Sequence, residues 1–537
     1  MRGAPTHPRS FSGHLPRMNR IPDTSGSHWM RTAAIPAYPP LLDGDEADAD
    51  VAVIGAGIAG LSVAWELSRA GRTVVLLEAD RVAGGVTGHT TGKLSALHTT
   101  VYDGLRSSHG PDAARVYAQS QMAAVRHVGE VAAELGVDCE LEHRPALTYC
   151  EDPEGTDALR AEAEAAKEAG LDASFVTETD LPYPVAGAVR VEDQAQFHPR
   201  KYLRALAADL VVRGGRIHEQ TRVTGLDEGE PCRLTTASGA TVTARAVVVA
   251  THHPVFDRGL LAARLTQHRD LVVAGPLPAD RDPQGMYITR EGGKRSVRTA
   301  PYGDGRLLIV TGEVFTPGTE SDTEGRYQRL TAWMRERFPG VTPTHRWAAQ
   351  DNAATDTVPL IGPLHHGDDP RVFVATGFAG WGMAGGVLAG RLLSGLITGQ
   401  APPEWARLYD PRRPGSVLRT APSVAKAQWD VGKHFVKDRL DTALGRGPAD
   451  AVEDIGPGEG AVVRVGGRAC AVHRDESGRL HPLSAVCTHL GCLVAFNPAE
   501  RTWECPCHGS RFDIDGEVLQ GPALHPLEAY DPDDLGR

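Results

Sequence analysis

The chain has 537 residues, enough for about three domains. Its hydrophobic content of 41% and charged content of 23% are those of a soluble globular protein. The net charge of −12 disfavours a nucleic-acid partner, because phosphate binding needs a basic surface, and no apolar run reaches the ~20 residues of a membrane span.

Residues 1–45 are predicted to form a disordered or extended tail. The first 30 residues are polar, Pro-rich and basic, and they lack the apolar core of a secretory signal. We therefore expect a cytoplasmic protein. Eight cysteines, five of them after position 465, are too few and too clustered for a fold built on disulfides.

The segment 48–80 predicts a βαβ unit, with VAVIG and TVVLLE as strands on either side of a helix. Gly55, Gly57 and Gly60 form a GxGxxG motif that allows a tight turn, close approach of a pyrophosphate and close helix packing. Glu78 ends the second strand, where it can accept hydrogen bonds from ribose hydroxyls. The unit predicts dinucleotide binding, and the alternative is a structural glycine turn.

The remaining residues to about 405 predict a mixed α/β domain. Helical patterns cover residues 112–135, 156–169, 200–215, 323–338 and 384–399, and strand patterns cover 142–151, 216–250 and 270–314. Residues 406–450 are Pro-rich and then basic, and we interpret them as a connector. From 451 to 537, short strands with Gly turns predict a separate small β domain.

Four residues of this last segment have metal-ligand spacing. Cys487, His489, Cys505 and His508 form C-x-H and C-x2-H pairs. Two Cys and two His can hold a tetrahedral zinc ion. They can also hold a Rieske [2Fe-2S] cluster, in which the cysteines bind one iron and the histidines the other. An accidental core cluster is the third interpretation.

Two long segments resemble the D-amino-acid-oxidase-like FAD superfamily. They are GIAGLSVAWELSRAGRTVVLLEAD with the following GGVTGHTTGKLS, and residues 359–397 with their ATGFAGWGMAGG stretch. The resemblance implies FAD as cofactor. The residues predicted to contact FAD are Gly55, Gly57, Ile58, Ala59, Gly60, Glu78, Ala79, Thr87, Gly88, Thr90, Thr91, Val223, Gly380, Gly382, Met383 and Ala384.

The loop that would cross the flavin departs from the superfamily's usual S-G-R-N-G pattern at His89 and Thr90. His89 is our candidate catalytic residue. Arg298 and Tyr302, in the strand region expected to face the substrate, are secondary candidates.

CTHLGC and CPCHGSRFD, which begin at 487 and 505, resemble the two ligand loops of Rieske proteins. The resemblance implies that Cys487, His489, Cys505 and His508 are the cluster ligands. It also implies a disulfide between Cys492 and Cys507, and a hydrogen bond from Ser510 to a cluster sulfur. Phe512 stands where high-potential members have Tyr, so we expect a lower potential within the Rieske range of about −150 to +300 mV.

The order of motifs resembles a bacterial family of FAD-dependent oxidoreductases with a C-terminal Rieske domain, including the connector stretch QWDVGKHFVKDRL at 428–440. The implied fold is an α/β FAD-binding Rossmann-like domain with an inserted α+β substrate domain over 46–405, plus a small all-β Rieske domain over 451–537. The implied activity is oxidation of an amine or amino-acid C–N bond. Electrons would pass from FAD to the cluster and on to a soluble one-electron acceptor.

Three other functions are weighed against this one. An NAD(P)H-linked flavin/iron–sulfur reductase would carry a second dinucleotide fingerprint, and we count one GxGxxG. A Rieske oxygenase would need a mononuclear iron site with two His and a carboxylate. A non-catalytic redox sensor stays open.

Overall fold

The computed structural model describes residues 26–256, 261–290, 293–367, 370–413 and 452–532. Its α-helices follow one another in this order: α1 (His28–Thr32), α2 (Ile58–Arg69), α3 (Val86–His89), α4 (Val101–His109), α5 (Pro111–Glu134), α6 (Thr156–Glu168), α7 (Pro199–Val212), α8 (Thr323–Arg337), α9 (Gly382–Ile397) and α10 (Ala406–Tyr409). Among these described residues, no helix combines the length and apolar character needed to cross a bilayer.

The strands of the first domain are β1 (Glu46–Ile54), β2 (Val74–Leu77), β3 (Lys93–Leu94), β4 (Glu142–His143), β5 (Ala146–Cys150), β6 (Ala173–Val176), β7 (Gly187–Val191), β8 (Ala195–Gln196), β9 (Arg216–His218), β10 (Val223–Asp227), β11 (Cys232–Thr236), β12 (Thr241–Val249), β13 (Leu265–Leu277), β14 (Met286–Thr289), β15 (Ser296–Tyr302), β16 (Gly305–Phe315), β17 (His345–Ala354), β18 (Leu360–Pro363) and β19 (Val372–Thr376). Those of the second are β20 (Gly460–Val465), β21 (Arg468–Arg474), β22 (Leu480–Ser484), β23 (Ala495–Asn497), β24 (Thr502–Glu504), β25 (Arg511–Phe512) and β26 (Val518–Gln520).

Five parallel strands form the centre of the first sheet, in the order β9, β2, β1, β12 and β19. Ile54 lies opposite both Leu77 and Val249, so the carboxyl ends of the strands meet at one edge. α2 and α9 cover one face side by side. A Cβ on Gly390 would lie 2.7 Å from the Cβ of Ser62, so this close approach of the two helices depends on glycine.

The second sheet has eight strands, in the order β17, β13, β16, β15, β14, β5, β7 and β6. Its pairs are antiparallel except β14 with β5. Alternate residues of β13, such as Leu271 and Val273, pack under α8 in one apolar cluster. Val272 points to the opposite face, which looks toward the carboxyl edge of the first sheet.

Residues 452–532 form two small antiparallel sheets, β20–β22 and β23–β26. Trp503 and Phe512 are fully buried between them, together with the cysteines of two loops. One loop follows β22 and the other follows β24. The predicted fold class is confirmed: a Rossmann-like α/β unit, an inserted mixed-sheet unit and a small all-β domain.

The structure differs from the prediction at two domain boundaries, the N-terminal segment and the start of the predicted connector. Residues 26–45 include helix α1, and they are packed into the first domain, with Trp29 fully buried. Polar and Pro-rich composition suggested a tail, but Trp29, together with the buried Ile35 and Leu41, supplies apolar surface that anchors the segment. Residues 406–413 also pack on the domain, because Tyr409 is buried against Ser120 and Gln121. The rest of the predicted connector, 414–451, lies outside the described residues, as does 1–25.

Trp29 should contribute substantially to stability. Its indole fills a pocket between Val272 and Trp347, and its Nε1–H donates to the carbonyl of Thr90 at 2.6 Å. We expect Trp29→Ala to lower the free energy of unfolding by about 3–5 kcal/mol, the usual cost of truncating a buried Trp. Urea unfolding measures this. Val212→Ala, at an 84% exposed position, is the control, and equal stability of the two variants would contradict the role of Trp29.

Candidate active site and metal centre

One large cavity, of about 1070 Å³, opens at the carboxyl edge of the parallel strands. Residues of the first sheet line one side, and the second sheet lines another. Residues 498–501 and 519–521 of the small β domain form a further wall. The cavity is therefore a shared space between all three structural units.

The GxGxxG turn has the geometry of a phosphate-binding loop. Gly55 has φ +99°, and a Cβ there would lie 2.6 Å from the carbonyl oxygen of Ala250. A Cβ on Gly60 would lie 1.8 Å from the carbonyl oxygen of Gly55. Helix α2 starts after Gly57, which has no side chain to cap it; the Thr87 hydroxyl accepts from the N–H of Ile58 at 3.0 Å, and the helix N-terminus lines the cavity, where it favours an anion. The turn fits a pyrophosphate.

Glu78 stands where the sequence predicts a ribose ligand. Its carboxylate accepts hydrogen bonds from the backbone N–H groups of Ala56, at 2.7 Å, and Asp80, at 2.9 Å. Burial raises the pKa of Glu78 above its ordinary value, while the two hydrogen bonds act in the opposite direction. The carboxylate is thus fixed beside the glycine turn at the cavity wall.

A second helix N-terminus faces the cavity at α9. Gly380, with φ +88°, lies in the turn before it, and its N–H donates to Asp351. His252 Nε2 lies 3.1 Å from the other oxygen of Asp351. Burial alone would raise the pKa of Asp351, but the contact with His252 outweighs it and holds the pKa below the ordinary value. This turn fits the negatively charged end of a reduced flavin ring.

The count of one GxGxxG was wrong, because Gly380, Gly382 and Gly385 have the same spacing after strand β19. Unlike the first motif, this one has no second strand and acidic residue behind its helix in the described chain: α9 is followed by α10. It faces the same cavity as the first motif. It does not form a separate nucleotide site.

Side chains from distant segments hold the carbonyl groups of the loop 88–92. Trp29 donates to Thr90, Trp347 donates to His89 at 2.8 Å, and Ser27 donates to Gly88. Arg298, which is 1% exposed, donates to Thr91 at 2.8 Å and to Gly92 at 2.7 Å. Arg298 therefore supports the loop from beneath and is not among the cavity-lining residues, contrary to the sequence expectation. Tyr302 lies elsewhere, beside His28 and His345.

The structure brings nearly all predicted FAD residues together. Gly60, Gly88 and Ala384 pack behind the cavity wall, and these predicted residues line it: Gly55, Gly57, Ile58, Ala59, Glu78, Ala79, Thr87, Thr90, Thr91, Val223, Gly380, Gly382 and Met383. His89 lines it too. Its Nδ1 bonds the carbonyl of Gly85 at 2.9 Å, and burial lowers its pKa. Its catalytic role stays a prediction.

The second sheet contributes a cavity floor that the sequence analysis missed. Val272, Thr311, Ser296 and Ile288 lie side by side in register across β13, β16, β15 and β14. Lys93 reaches this row from β3: its Nζ donates to Ser296 and, at 2.6 Å, to the carbonyl of Tyr287. Burial lowers the pKa of Lys93 well below its ordinary value. Strand register, rather than any local motif, groups these residues.

Asp270, one pleat from Val272, is the acidic side chain of this floor. It is 8% exposed. The side chains of His268, at 3.5 Å, and Lys294, at 3.7 Å from Oδ1, lie next to its carboxylate. Oδ1 has no hydrogen-bond partner among the described residues. A ligand N–H group in the cavity would satisfy this oxygen.

The two cysteine–histidine loops have matching backbone geometry. The N–H of Cys487 donates to the carbonyl of Cys492, and the N–H of Cys505 donates to that of Ser510, both at 2.8 Å. Each loop also turns through a glycine of positive φ, Gly491 and Gly509. The turns bring the four predicted ligands together, with the rings of His489 and His508 5.0 Å apart.

The two ligand thiols are buried and adjacent. A hydrogen bond with Cys505, followed by those from the His489 N–H and the Ser510 hydroxyl, lowers the pKa of Cys487 to about 7 against the effect of burial. The hydrogen bond with Cys487 and burial raise the pKa of Cys505. A metal dication would replace the proton that these sulfurs share. The Ser510 hydroxyl therefore lies beside a predicted ligand sulfur, and its hydrogen bond to a cluster sulfur stays a prediction.

Cys492 and Cys507 form the disulfide that joins the loops, as the resemblance implied. The sulfurs of Cys492, Cys505 and Cys507 lie within 4.8 Å of one another. That group is not itself a metal site, because two of its sulfurs are already bonded. The thiols and imidazoles of the predicted four fit either zinc or a [2Fe-2S] cluster.

A buried ion network joins the small β domain to the second sheet. Arg269 of β13, 1% exposed, binds Glu500 through two hydrogen bonds, and Arg511 binds the same carboxylate at 2.5 Å. Glu504 lies 3.6 Å from Arg269 and 3.3 Å from Arg511. Burial would raise the pKa of Glu500, but the two guanidinium groups lower it to about 2.

The metal loops themselves touch the cavity wall. Gln350 donates to the carbonyl of Gly509 at 2.8 Å, and the next residue, Asp351, holds Gly380 at the start of α9. On the other side, Arg222, which lines the cavity, donates to the carbonyl of Val518 at 2.9 Å. The two candidate sites are therefore neighbours across one interface.

Comparison with known proteins supports this geometry. The family described as FAD dependent oxidoreductase matches residues 50–396, and the Rieske [2Fe-2S] domain matches residues 446–531. The second match decides the metal question in favour of the [2Fe-2S] cluster, and the first identifies the dinucleotide as FAD.

Similar proteins cover both parts. The Rieske 2Fe-2S iron-sulfur protein YhfW of Bacillus subtilis is 34% identical over 513 residues, which are 94% of this chain and 98% of that protein. Gamma-glutamylputrescine oxidoreductase of Escherichia coli is 26% identical over 66% of this chain and 84% of its own length. The crystal structure of glycine oxidase from Geobacillus kaustophilus superposes with a TM-score of 0.57 at 20% identity, covering 68% of this chain and 99% of that one, which shows a shared fold.

The ligand assignment predicts the effect of one cysteine substitution. Cys505→Ser should lose the iron and the visible absorption of the cluster while keeping its FAD, because the thiolate is needed for iron and the FAD cavity has its own anchors. Iron analysis and absorbance spectra check this. Cys470→Ser, another buried cysteine of the same domain, is the matched control. Full iron content in Cys505→Ser would refute the assignment.

The ion network predicts a pH-dependent interface. Glu500→Gln should destabilise the protein by about 3–5 kcal/mol at pH 7, because it leaves the buried Arg269 and Arg511 to share the single carboxylate of Glu504 within this network. Since the pKa of Glu500 falls from 4.5 to about 2 in the folded protein, its contribution is complete above pH 4.5 and is lost as pH falls toward 2.

Urea unfolding of the wild type and Glu500→Gln at pH 7 and pH 4 would test this, with exposed Glu476→Gln as control. The stability gap between wild type and Glu500→Gln should narrow at the lower pH. If the two proteins have equal stability at pH 7, or if their difference in stability does not change with pH, the predicted role of Glu500 is wrong.

Proposed function

We propose, on the premise that the chain belongs to the FAD dependent oxidoreductase family and carries a Rieske [2Fe-2S] domain, that it oxidises a C–N bond of an amine or amino acid. The electrons would leave through the Rieske cluster to a soluble one-electron acceptor in the cytoplasm. The names of two similar proteins, gamma-glutamylputrescine oxidoreductase and glycine oxidase, both refer to compounds with amino groups.

One observation carries the electron-transfer part of the proposal. The small β domain forms a wall of the FAD cavity, and its ligand loop bonds Gln350, the neighbour of a residue that holds the flavin end of the cavity. A Rieske domain that exchanged electrons independently of the FAD domain would not need a buried ion network at the interface between the two domains. Direct contact between the sites favours passage of electrons within the chain.

When bound, FAD would accept a hydride from the carbon next to the substrate nitrogen, and the cluster would transfer single electrons. The chain's own residues hold the substrate. Oδ1 of Asp270, which has no hydrogen-bond partner among the described residues and lies 3.7 Å from Nζ of Lys294, is placed to accept a hydrogen bond from the amine nitrogen. Val272 and Ile288 form apolar floor beside it and exclude water. His89 is kept as a candidate at the cavity edge.

Lys93 adds a charge argument about substrates. It is 8% exposed and forms no ion pair with any described residue, while Lys294 lies on the same side of the floor. Burial without a counter-ion disfavours the charged form of Lys93 and lowers its pKa. The carboxylate of an amino-acid substrate would supply that counter-ion and stabilise the ammonium form, which favours amino acids over simple amines.

Cys487→Ser should separate reduction of the flavin from reduction of the external acceptor. Wild-type protein is supplied with a panel of amines, amino acids and N-methyl amino acids, and cytochrome c is the one-electron acceptor. With the correct substrate, Cys487→Ser should still bleach its flavin under anaerobic conditions but should no longer reduce cytochrome c, because the cluster is lost. Cys470→Ser should behave as wild type.

Two results would contradict the proposed amine oxidation with electron transfer through the cluster. Unchanged cytochrome c reduction by Cys487→Ser would remove the cluster from the electron path. Flavin reduction by NADPH, with none by any amine or amino acid, would favour the reductase instead.

A further inference from the structure

A histidine of the FAD domain reaches the cluster ligands. Strand β12 ends at Val249, and the residues that follow, Ala250, Thr251 and His252, line the FAD cavity. His253 is next in the chain. Its ring centroid lies 6.0 Å from that of His508 and 6.5 Å from that of His489, with an angle of 73° between the ring planes in each pair.

The position of His253 is fixed by its neighbours. Thr251 donates to the carbonyl of His253 at 2.7 Å, and Thr376 donates to the carbonyl of His252 at 2.5 Å. His252 has φ +67°, a left-handed conformation that bulky residues rarely adopt, and its ring is held by Asp351. The turn that presents His253 is therefore built by contacts on both sides, and it does not depend on His253 itself.

The hydrogen bonding of the His253 ring leaves one nitrogen for the cluster side. Nδ1 lies 3.2 Å from the carbonyl oxygen of Pro254, which can only accept, so Nδ1 carries the hydrogen. Nε2 is then an acceptor. It is buried, in a side chain that is 3% exposed, and it has no hydrogen-bond partner among the described residues. A buried acceptor of this kind normally has a donor.

We propose that His253 is a positioning residue for the Rieske cluster: its Nε2 accepts a hydrogen bond from a ring N–H of the ligand pair His489 and His508. The oxidase domain would thus complete the surroundings of a cluster whose ligands all belong to the other domain. The inference rests on the cluster and its ligands, and it does not depend on which substrate reduces the flavin.

A measurable consequence follows for the cluster itself. A ligand histidine that donates a hydrogen bond becomes a stronger electron donor to its metal, which stabilises the oxidised state. Removing the acceptor should therefore raise the midpoint potential. The equilibrium between the cluster and a one-electron mediator should shift about fivefold toward the reduced cluster, the equivalent of one neutral hydrogen bond.

The experiment uses the full chain with both cofactors bound and three variants. His253→Leu and His253→Ala remove the acceptor, and His253→Gln keeps an acceptor oxygen as the conservative rescue. His143→Gln, an exposed histidine of β4, is the control. Mediated redox titration with electron paramagnetic resonance detection gives the potential and the g values of the reduced cluster without any substrate.

The proposal expects a raised potential and shifted g values in the Leu and Ala variants, smaller changes in the Gln variant, and none in the control. Loss of the cluster from both apolar variants but not from the Gln variant would also support an acceptor at this position. Wild-type potential and g values in the Leu or Ala variant would overturn it. Loss of the cluster from all three would also overturn it, since packing alone would then explain the residue.

Dithionite reduces the cluster directly in this experiment. A negative result here would therefore leave the proposed amine oxidation untouched, and a failure to find an amine substrate would leave this inference standing.

Discussion

Arg269 can be buried only because the other domain brings carboxylates to it. The guanidinium group is 1% exposed in the middle of the second sheet, and the acids that bind it, Glu500 and Glu504, belong to the small β domain. An isolated charge in that position would cost several kcal/mol. The network contains two positive and two negative side chains, with Arg511 as the fourth member. Docking of the two domains is thus part of folding the oxidase sheet.

The position of this network decides where the cluster lies. Glu500, Glu504 and Arg511 surround the loop that contains Cys505 and His508, so the contact that neutralises Arg269 also holds that loop against β17. β17 carries Asp351, which bonds the turn at the start of α9. A short run of contacts therefore connects the iron site to the flavin end of the cavity. The contacts that neutralise Arg269 therefore also set the position of the iron site relative to the FAD cavity.

The FAD cavity depends on a different constraint, the close packing of two helices at the edge of a parallel sheet. Gly55, Gly60 and Gly390 permit contacts that any side chain would prevent. As a result, the N-termini of α2 and α9 both face the same cavity. The loop 88–92 lies at the same cavity. Trp29, Arg298 and Trp347 hold this loop in place by donating hydrogen bonds to its backbone carbonyl groups.

The sequence was informative wherever the chemistry is local. The βαβ unit, the loop 87–91 at the cavity and the four predicted metal ligands are each contained in a short segment with fixed spacing, so the sequence could indicate them. The disulfide between Cys492 and Cys507 followed from the resemblance of two such segments.

What could not be predicted involves partners far apart in the chain. Arg269 and Glu500 are 231 residues apart, and no local pattern links them. Asp270 and Thr311 are grouped with Lys93 by strand register alone. The burial of residues 26–45 was missed because composition describes an average, whereas a few apolar side chains, Trp29, Ile35 and Leu41, pack into the domain. No local pattern indicates that His253 is covered, since the histidines that lie against it, His489 and His508, come more than 200 residues later.

The central claim is that substrate electrons cross from flavin to cluster within one chain. The most direct measurement is an anaerobic titration of the protein with its amine or amino-acid substrate, in which flavin absorbance and the paramagnetic resonance of the reduced cluster are followed in the same sample. We expect the flavin to bleach and the signal of the reduced cluster then to rise in proportion to the electrons added. A flavin that stays reduced while the cluster stays oxidised, or centres that respond only to NADPH or dithionite, would contradict it.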